Sequence, residues 1–174
     1  MLNLSSAQIH LAVNHLPVFA LALATATLAV AVVSRRTNIR NLGLGLLVFA
    51  ALSALPAYFT GEGAEEIVEH RPGVSETLIE RHEQAAERTL AVTLAAGLLA
   101  ATALVAVRLG RERVSRTLIV ITMLSAVAST GLMGQVAHLG GQIRHDEIRA
   151  QVTSGESHTR LREGPPARVH DDDD

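Results

Sequence analysis

The sequence predicts an all-α integral membrane protein, a four-helix up-down bundle whose helices extend beyond the bilayer on the outer, periplasmic side. Of its 174 residues, 48% are hydrophobic and 18% are charged, and the formal net charge is -2. The apolar residues are segregated into four long runs, with most of the charges between them. Helices of soluble bundles instead alternate polar and apolar faces, so a soluble bundle is disfavoured.

The four apolar runs cover residues 11–33, 42–60, 89–107 and 117–141. A transmembrane helix needs about 20 predominantly apolar residues, and each run is long enough. Asn14, His15 and Pro17 interrupt the first run only near its start, where proline is tolerated in a first helical turn. The residues before this run include no basic stretch and no signal-peptidase site, so we expect the first helix to be retained.

Arginine in the short loops predicts the orientation, because cytoplasmic loops retain positive charge. The loop after the first run contains three Arg and no acid, and the loop after the third contains four Arg and one Glu. The segment between the second and third runs contains eight Glu against three Arg. The pattern predicts a protein of the bacterial inner membrane with both termini on the periplasmic side.

The third helix is expected to outrun the bilayer. Ser75 is a plausible N-cap before Glu76, and Gly97 is the only breaker between there and Leu109. Such a helix is about 50 Å long against a hydrocarbon core of ~30 Å. The fourth helix is expected to continue through Ile148, and residues 71–73 to form the outer turn. We therefore predict a transmembrane domain over residues 1–152 and an extended or disordered polar tail over residues 153–174.

Histidine is concentrated on the predicted outer side. Measured from the cytoplasmic helix ends at 1.5 Å per residue, His15 and His138 share a depth of about 27 to 31 Å. His10 and His82 follow at about 35 to 38 Å, and His145 lies at about 42 Å. His10 and His15 are five residues apart, so both face inward only if the first helix starts irregularly. Three helices therefore bring imidazoles to one band near the outer interface.

Two chemistries fit this band of histidines. Heme b takes two imidazoles from different helices and needs small residues where the porphyrin meets backbone, a role for which Gly134 and Gly141 are candidates. A divalent or redox metal such as zinc, copper or non-heme iron takes several imidazoles with a carboxylate. The metal-ligating candidates are His10, His15, His82, His138, His145 and Glu66. The absence of cysteine excludes thiolate sites, iron–sulfur clusters and covalently attached c-type heme.

The first helix also resembles a known family. The stretch I-H-L-A-V-N-H-L-P at residues 9–17 is similar to the H-P-x-x-V-H-F-P opening of small four-span bacterial membrane proteins of unknown function. Thr60-Gly61, His82 and Gly140-Gly141 followed by His145 fall where that family carries T-G, a histidine and a G-G…H ending. The resemblance implies a four-helix membrane domain with outer histidines and an association with redox or heme chemistry.

These observations favour a membrane-embedded electron-transfer subunit that holds b-type heme near the periplasmic surface. The axial ligands are predicted to be His15 with His138, and also His10 with His82. The expected partners are the lipid bilayer, other subunits of a membrane complex, a periplasmic electron carrier and a quinone. The alternatives are a divalent metal-binding membrane protein and a structural subunit of a larger complex. No catalytic constellation or nucleic-acid patch accompanies the histidines, so stand-alone catalysis is not expected.

Overall fold

The computed structural model describes residues 5–69 and 74–144. Over these ranges the chain forms five helices, of which the first two follow each other almost without interruption. The helices are α1 (Ser6–Val13), α2 (His15–Ser34), α3 (Thr37–Val68), α4 (Glu76–Arg108) and α5 (Glu112–Arg144). The predicted turn at residues 71–73, the continuation to Ile148, His145 and the predicted tail lie outside the described residues.

Four helical stretches are long and apolar enough to cross a membrane. They are Ser6–Ser34, Thr37–Val68, Glu76–Arg108 and Glu112–Ile143. Each contains one of the four predicted apolar runs and extends it at one or both ends. The prediction of an all-helical fold with four long apolar helices is confirmed.

The helices extend as the sequence predicted. The helix α4 starts at Glu76, directly after Ser75, and continues for 33 residues to Arg108. The expected N-cap position is right, although the Ser75 side chain makes no capping hydrogen bond. The charged part of α3 stays helical past Gly61 and Gly63 to Val68, beyond the end of the apolar run.

The first helix is interrupted at Asn14, between α1 and α2. Asn14 donates its backbone N–H to the carbonyl of His10 at 2.9 Å, so the chain still follows a helical path there. Pro17 has no N–H to donate to the carbonyl of Val13 four residues earlier, and this missing bond explains the interruption. The break does not turn both histidines inward, because His10 is half-buried and His15 is exposed.

Two short turns connect the helices at the arginine-rich end. Between α2 and α3, Arg35 adopts the left-handed conformation with φ 54° and closes α2. Between α4 and α5, Gly110 has φ 67°, which glycine adopts without steric cost. Such short connections make the joined helices direct neighbours.

The bundle core is built from small residues that let helices approach closely. Helix α3 packs on α1, α2 and α4, while α5 packs on α4 and α2. A side chain on Gly97 would collide with Ala51, and one on Gly43 would lie 2.9 Å from Leu28. A hydroxyl pair, Thr25 and Thr130 at 2.8 Å, joins α2 to α5. Small residues and interhelical hydroxyl bonds are typical of helix packing in membranes.

Candidate functional site

His10 of α1 is held by α3. Its Nδ1 lies 2.9 Å from the carbonyl oxygen of Ala57 and 3.2 Å from Oγ1 of Thr60. The Thr60 hydroxyl donates its own proton to the carbonyl of Pro56 at 2.7 Å, so it can only accept from the histidine. Both partners of this ring nitrogen are therefore acceptors.

His82 of α4 is held in the same way by α5. Its Nδ1 lies 3.1 Å from the carbonyl oxygen of Val136, and the residue is half-buried. A carbonyl oxygen accepts hydrogen bonds and never donates them. His82 thus repeats the anchoring of His10 on the other pair of helices.

These contacts fix the tautomer of both rings. Because each Nδ1 faces acceptors, Nδ1 carries the proton and donates it. In the neutral ring, Nε2 then carries the lone pair. Histidines that ligate metals are arranged in this way, with one ring N–H donated to a carbonyl or carboxylate and the other nitrogen bound to the metal. In neutral His10 and His82, Nε2 is therefore the ring nitrogen that is able to accept a bond.

His10 on α1 and His82 on α4 belong to two helices that both pack on α3. A glycine stands beside each ring. A Cβ atom on Gly61 would lie 3.6 Å from Cε1 of His10, and one on Gly140 would lie 3.2 Å from Cε1 of His82. Thr60 and Gly61 thus lie beside His10, and Gly140 lies beside His82.

The predicted pair His15 and His138 has a different environment. Both residues are exposed. Nδ1 of His15 bonds to the carbonyl of Leu11 at 3.3 Å in its own first-helix segment, and its ring stacks on Phe19. Nε2 of His138 lies 2.8 Å from Nε2 of Gln142, one turn further along α5. The structure therefore favours His10 with His82 over His15 with His138 as an inward-facing pair.

The two candidate glycines of the heme hypothesis also differ in their surroundings. Gly134 is exposed, and a Cβ atom added there would meet nothing within 4 Å. Gly141 is partly buried next to Gly140. The close approach between glycine and imidazole occurs instead at Gly61 and Gly140.

The multi-ligand metal hypothesis gains no support from the described residues. Within residues 5–69 and 74–144, no three side chains of His, Asp or Glu are arranged to hold a metal ion. Glu66 is exposed on α3 and already interacts with another group of the protein. His145 lies outside the described residues, so its predicted role stays a prediction.

Acidic side chains surround the outer part of α3 and α4. The charge of Glu65 on α3 interacts with those of Glu62 and Glu69 on the same helix and of Glu80 and Glu83 on α4. The phenol group of Tyr58 on α3 also interacts electrostatically with the carboxylates of Glu62, Glu83 and Glu87. The surface next to the histidine pair is therefore strongly negative.

A comparison of the chain with family models, curated proteins and solved structures found no match. The functional interpretation therefore depends on the residues of this chain and their geometry.

Proposed function

We propose that the protein is a multi-pass protein of the bacterial inner membrane, an up-down bundle that binds b-type heme through His10 and His82. The observation that carries this proposal is the shared anchoring of the two imidazoles. Each donates Nδ1–H to a backbone carbonyl of a neighbouring helix, at 2.9 Å for His10 and 3.1 Å for His82. Each therefore keeps Nε2 for a ligand.

The number of ligands favours heme over a bare metal ion. A porphyrin supplies four nitrogen ligands to its iron, so two imidazoles complete the set. Zinc takes four ligands, or three protein ligands and a water, and the described residues offer no such group. Two fixed imidazoles on different helices thus suit heme b, and the heme would supply one-electron redox chemistry.

The surroundings of the pair support electron exchange at the outer surface. The acidic side chains of α3 and α4 would attract a basic electron carrier and accelerate its encounter with the bundle. Between the histidine pair and the arginine-rich end, the helices carry exposed apolar residues, as expected for contact with lipid. Among them are Phe19, Leu98 and Leu124. In this proposal the protein passes electrons between a periplasmic carrier and a quinone or a partner subunit.

The test is a UV–visible spectrum of the detergent-purified protein, air-oxidised and then dithionite-reduced, with metal analysis of the same sample. We expect a Soret band that sharpens on reduction and stoichiometric iron. The variants His10→Ala and His82→Ala should each lose most of the heme. His15→Ala and His138→Ala are the matched controls, because both side chains are exposed, and they should keep it.

The other outcomes decide between the remaining hypotheses. Stoichiometric zinc or copper without a Soret band would replace heme by a metal-binding function. Loss of heme only in the His15 and His138 variants would assign the axial ligands to His15 and His138. A protein without heme or metal would leave the structural-subunit hypothesis.

A further inference from the structure

The face of α5 that is buried in the bundle carries hydroxyl side chains at a constant spacing. Ser115, Thr122 and Ser129 are seven residues apart, and all three are buried, with exposures of 6%, 0% and 0%. Residues seven apart differ by only about 20° around a helix, so the three share one face. Val136, whose carbonyl binds His82, is the next position of the same series.

Helix α4 contributes matching hydroxyls on the face that carries His82. Thr89 and Thr93 are 2% and 0% exposed, and they lie within about 40° of His82 around the helix. His82 contacts Val136, and the two helices are joined by the turn at Gly110. Thr89 is seven residues nearer to that turn than His82, and Ser129 is seven residues nearer to it than Val136. Both therefore lie about 10 Å from the level of the imidazole, toward the turn.

Three of these hydroxyls are buried without a partner. Thr93 Oγ1, Thr122 Oγ1 and Ser129 Oγ make no hydrogen bond to any of the described residues. A buried hydroxyl without a hydrogen bond costs about 1–3 kcal/mol, and buried polar groups are as a rule satisfied by protein or by internal water. Three such groups on the buried faces of α4 and α5 therefore indicate small polar ligands.

We propose that these hydroxyls bind a row of water molecules inside the bundle, and that this row carries protons between the level of Val136 and the arginine-rich end. From Val136 to Ser115 the series covers 21 residues, or about 31 Å, which matches the ~30 Å thickness of the hydrocarbon core. Successive hydroxyl levels are about 10 Å apart, a distance that three or four hydrogen-bonded waters span.

The first test uses thermal unfolding of the variants Thr93→Val and Thr122→Val in detergent. Valine keeps the shape of threonine and removes only the hydroxyl. If water binds there, each variant loses hydrogen bonds and should unfold at a temperature lower by about 3 °C or more. If no water is bound to the hydroxyls, valine removes a polar group that had no hydrogen bond, and the unfolding temperature stays the same or rises. That result would overturn the proposal.

The second test measures proton flux into proteoliposomes that enclose a pH-sensitive dye, after a pH step with the potential clamped. The wild-type protein should exceed protein-free vesicles, and Thr93→Val and Ser129→Ala should each lower the excess at least fivefold. Thr93→Ser, which keeps the hydroxyl, should restore it. Thr102→Val is the matched control on α4, because Thr102 is exposed and bonds only within its own helix.

A flux equal to that of empty vesicles, or one unchanged in Thr93→Val, would refute proton transfer along this row. The heme proposal is tested separately, because Thr93 and Ser129 are not ligands and their variants should keep the heme spectrum. A Soret band with no proton flux would therefore remove only the water row, and proton flux without a Soret band would remove only the heme.

Discussion

At the scale of single residues, the site depends on how two imidazoles are oriented. The sequence brought His10, His15, His82 and His138 to one band, but depth alone does not distinguish a ring that faces the bundle from one that faces outward. The distinction comes from carbonyl oxygens at Ala57 and Val136. Backbone acceptors have no signature in the sequence, so the choice between the pairs required the packed helices.

Gly140→Ala should displace the ring of His82. The added Cβ would lie 3.2 Å from Cε1 of the ring, which is closer than ordinary van der Waals contact. We expect weaker heme binding and a shifted Soret band. Gly134→Ala is the control on the same helix, because its Cβ would meet nothing within 4 Å, and alanine there should raise helix stability by about 0.5–1 kcal/mol. Equal loss of heme in both variants would contradict this assignment of the two glycines.

At the scale of helices, close approach depends on small residues at a few crossing points. Gly97 is buried where α4 meets α3, and its neighbour is Ala51. A bulkier pair at this point would push the two helices apart and disturb the positions of His10 on α1 and His82 on α4, since both helices pack on α3.

We predict that Gly97→Ala destabilises the bundle by about 1–3 kcal/mol, because the new methyl group would collide with Ala51. The measurement is thermal unfolding in detergent. Gly45→Ala, also in a helix but with open space at its Cβ, is the control and should unfold at the wild-type temperature or above. An unaffected Gly97→Ala variant would show that α3 and α4 are further apart than described.

The bond between Thr25 and Thr130 should couple α2 to α5. A double-mutant cycle with Thr25→Val and Thr130→Val should give a coupling energy of about 0.6 kcal/mol, and at most about 1.7 kcal/mol, as found for interhelical hydrogen bonds in membranes. The 2.8 Å distance between the two hydroxyls motivates this value. Additive effects of the two substitutions would mean that the bond contributes nothing to the packing of these helices.

At the scale of the whole molecule, the asymmetric distribution of charge should fix the orientation. The chain contains no cysteine, so single cysteines can be introduced without a background. With Glu76→Cys, a membrane-impermeant maleimide should label intact spheroplasts. With Arg111→Cys, labelling should require lysis, because short loops rich in arginine are as a rule retained in the cytoplasm. The reverse pattern would invert the topology and place the histidine pair on the inner side.

The long apolar helices, the start of α4 at Glu76 and the concentration of histidine toward one end could all be predicted from the sequence. These features follow from local hydropathy and capping, which act over a few residues. The tertiary structure decided which histidines face the bundle, which glycines stand beside them and which hydroxyls are buried without a partner. Those properties depend on the rotation of each helix against its neighbours, and residues as far apart as His10 and Ala57 set that rotation together.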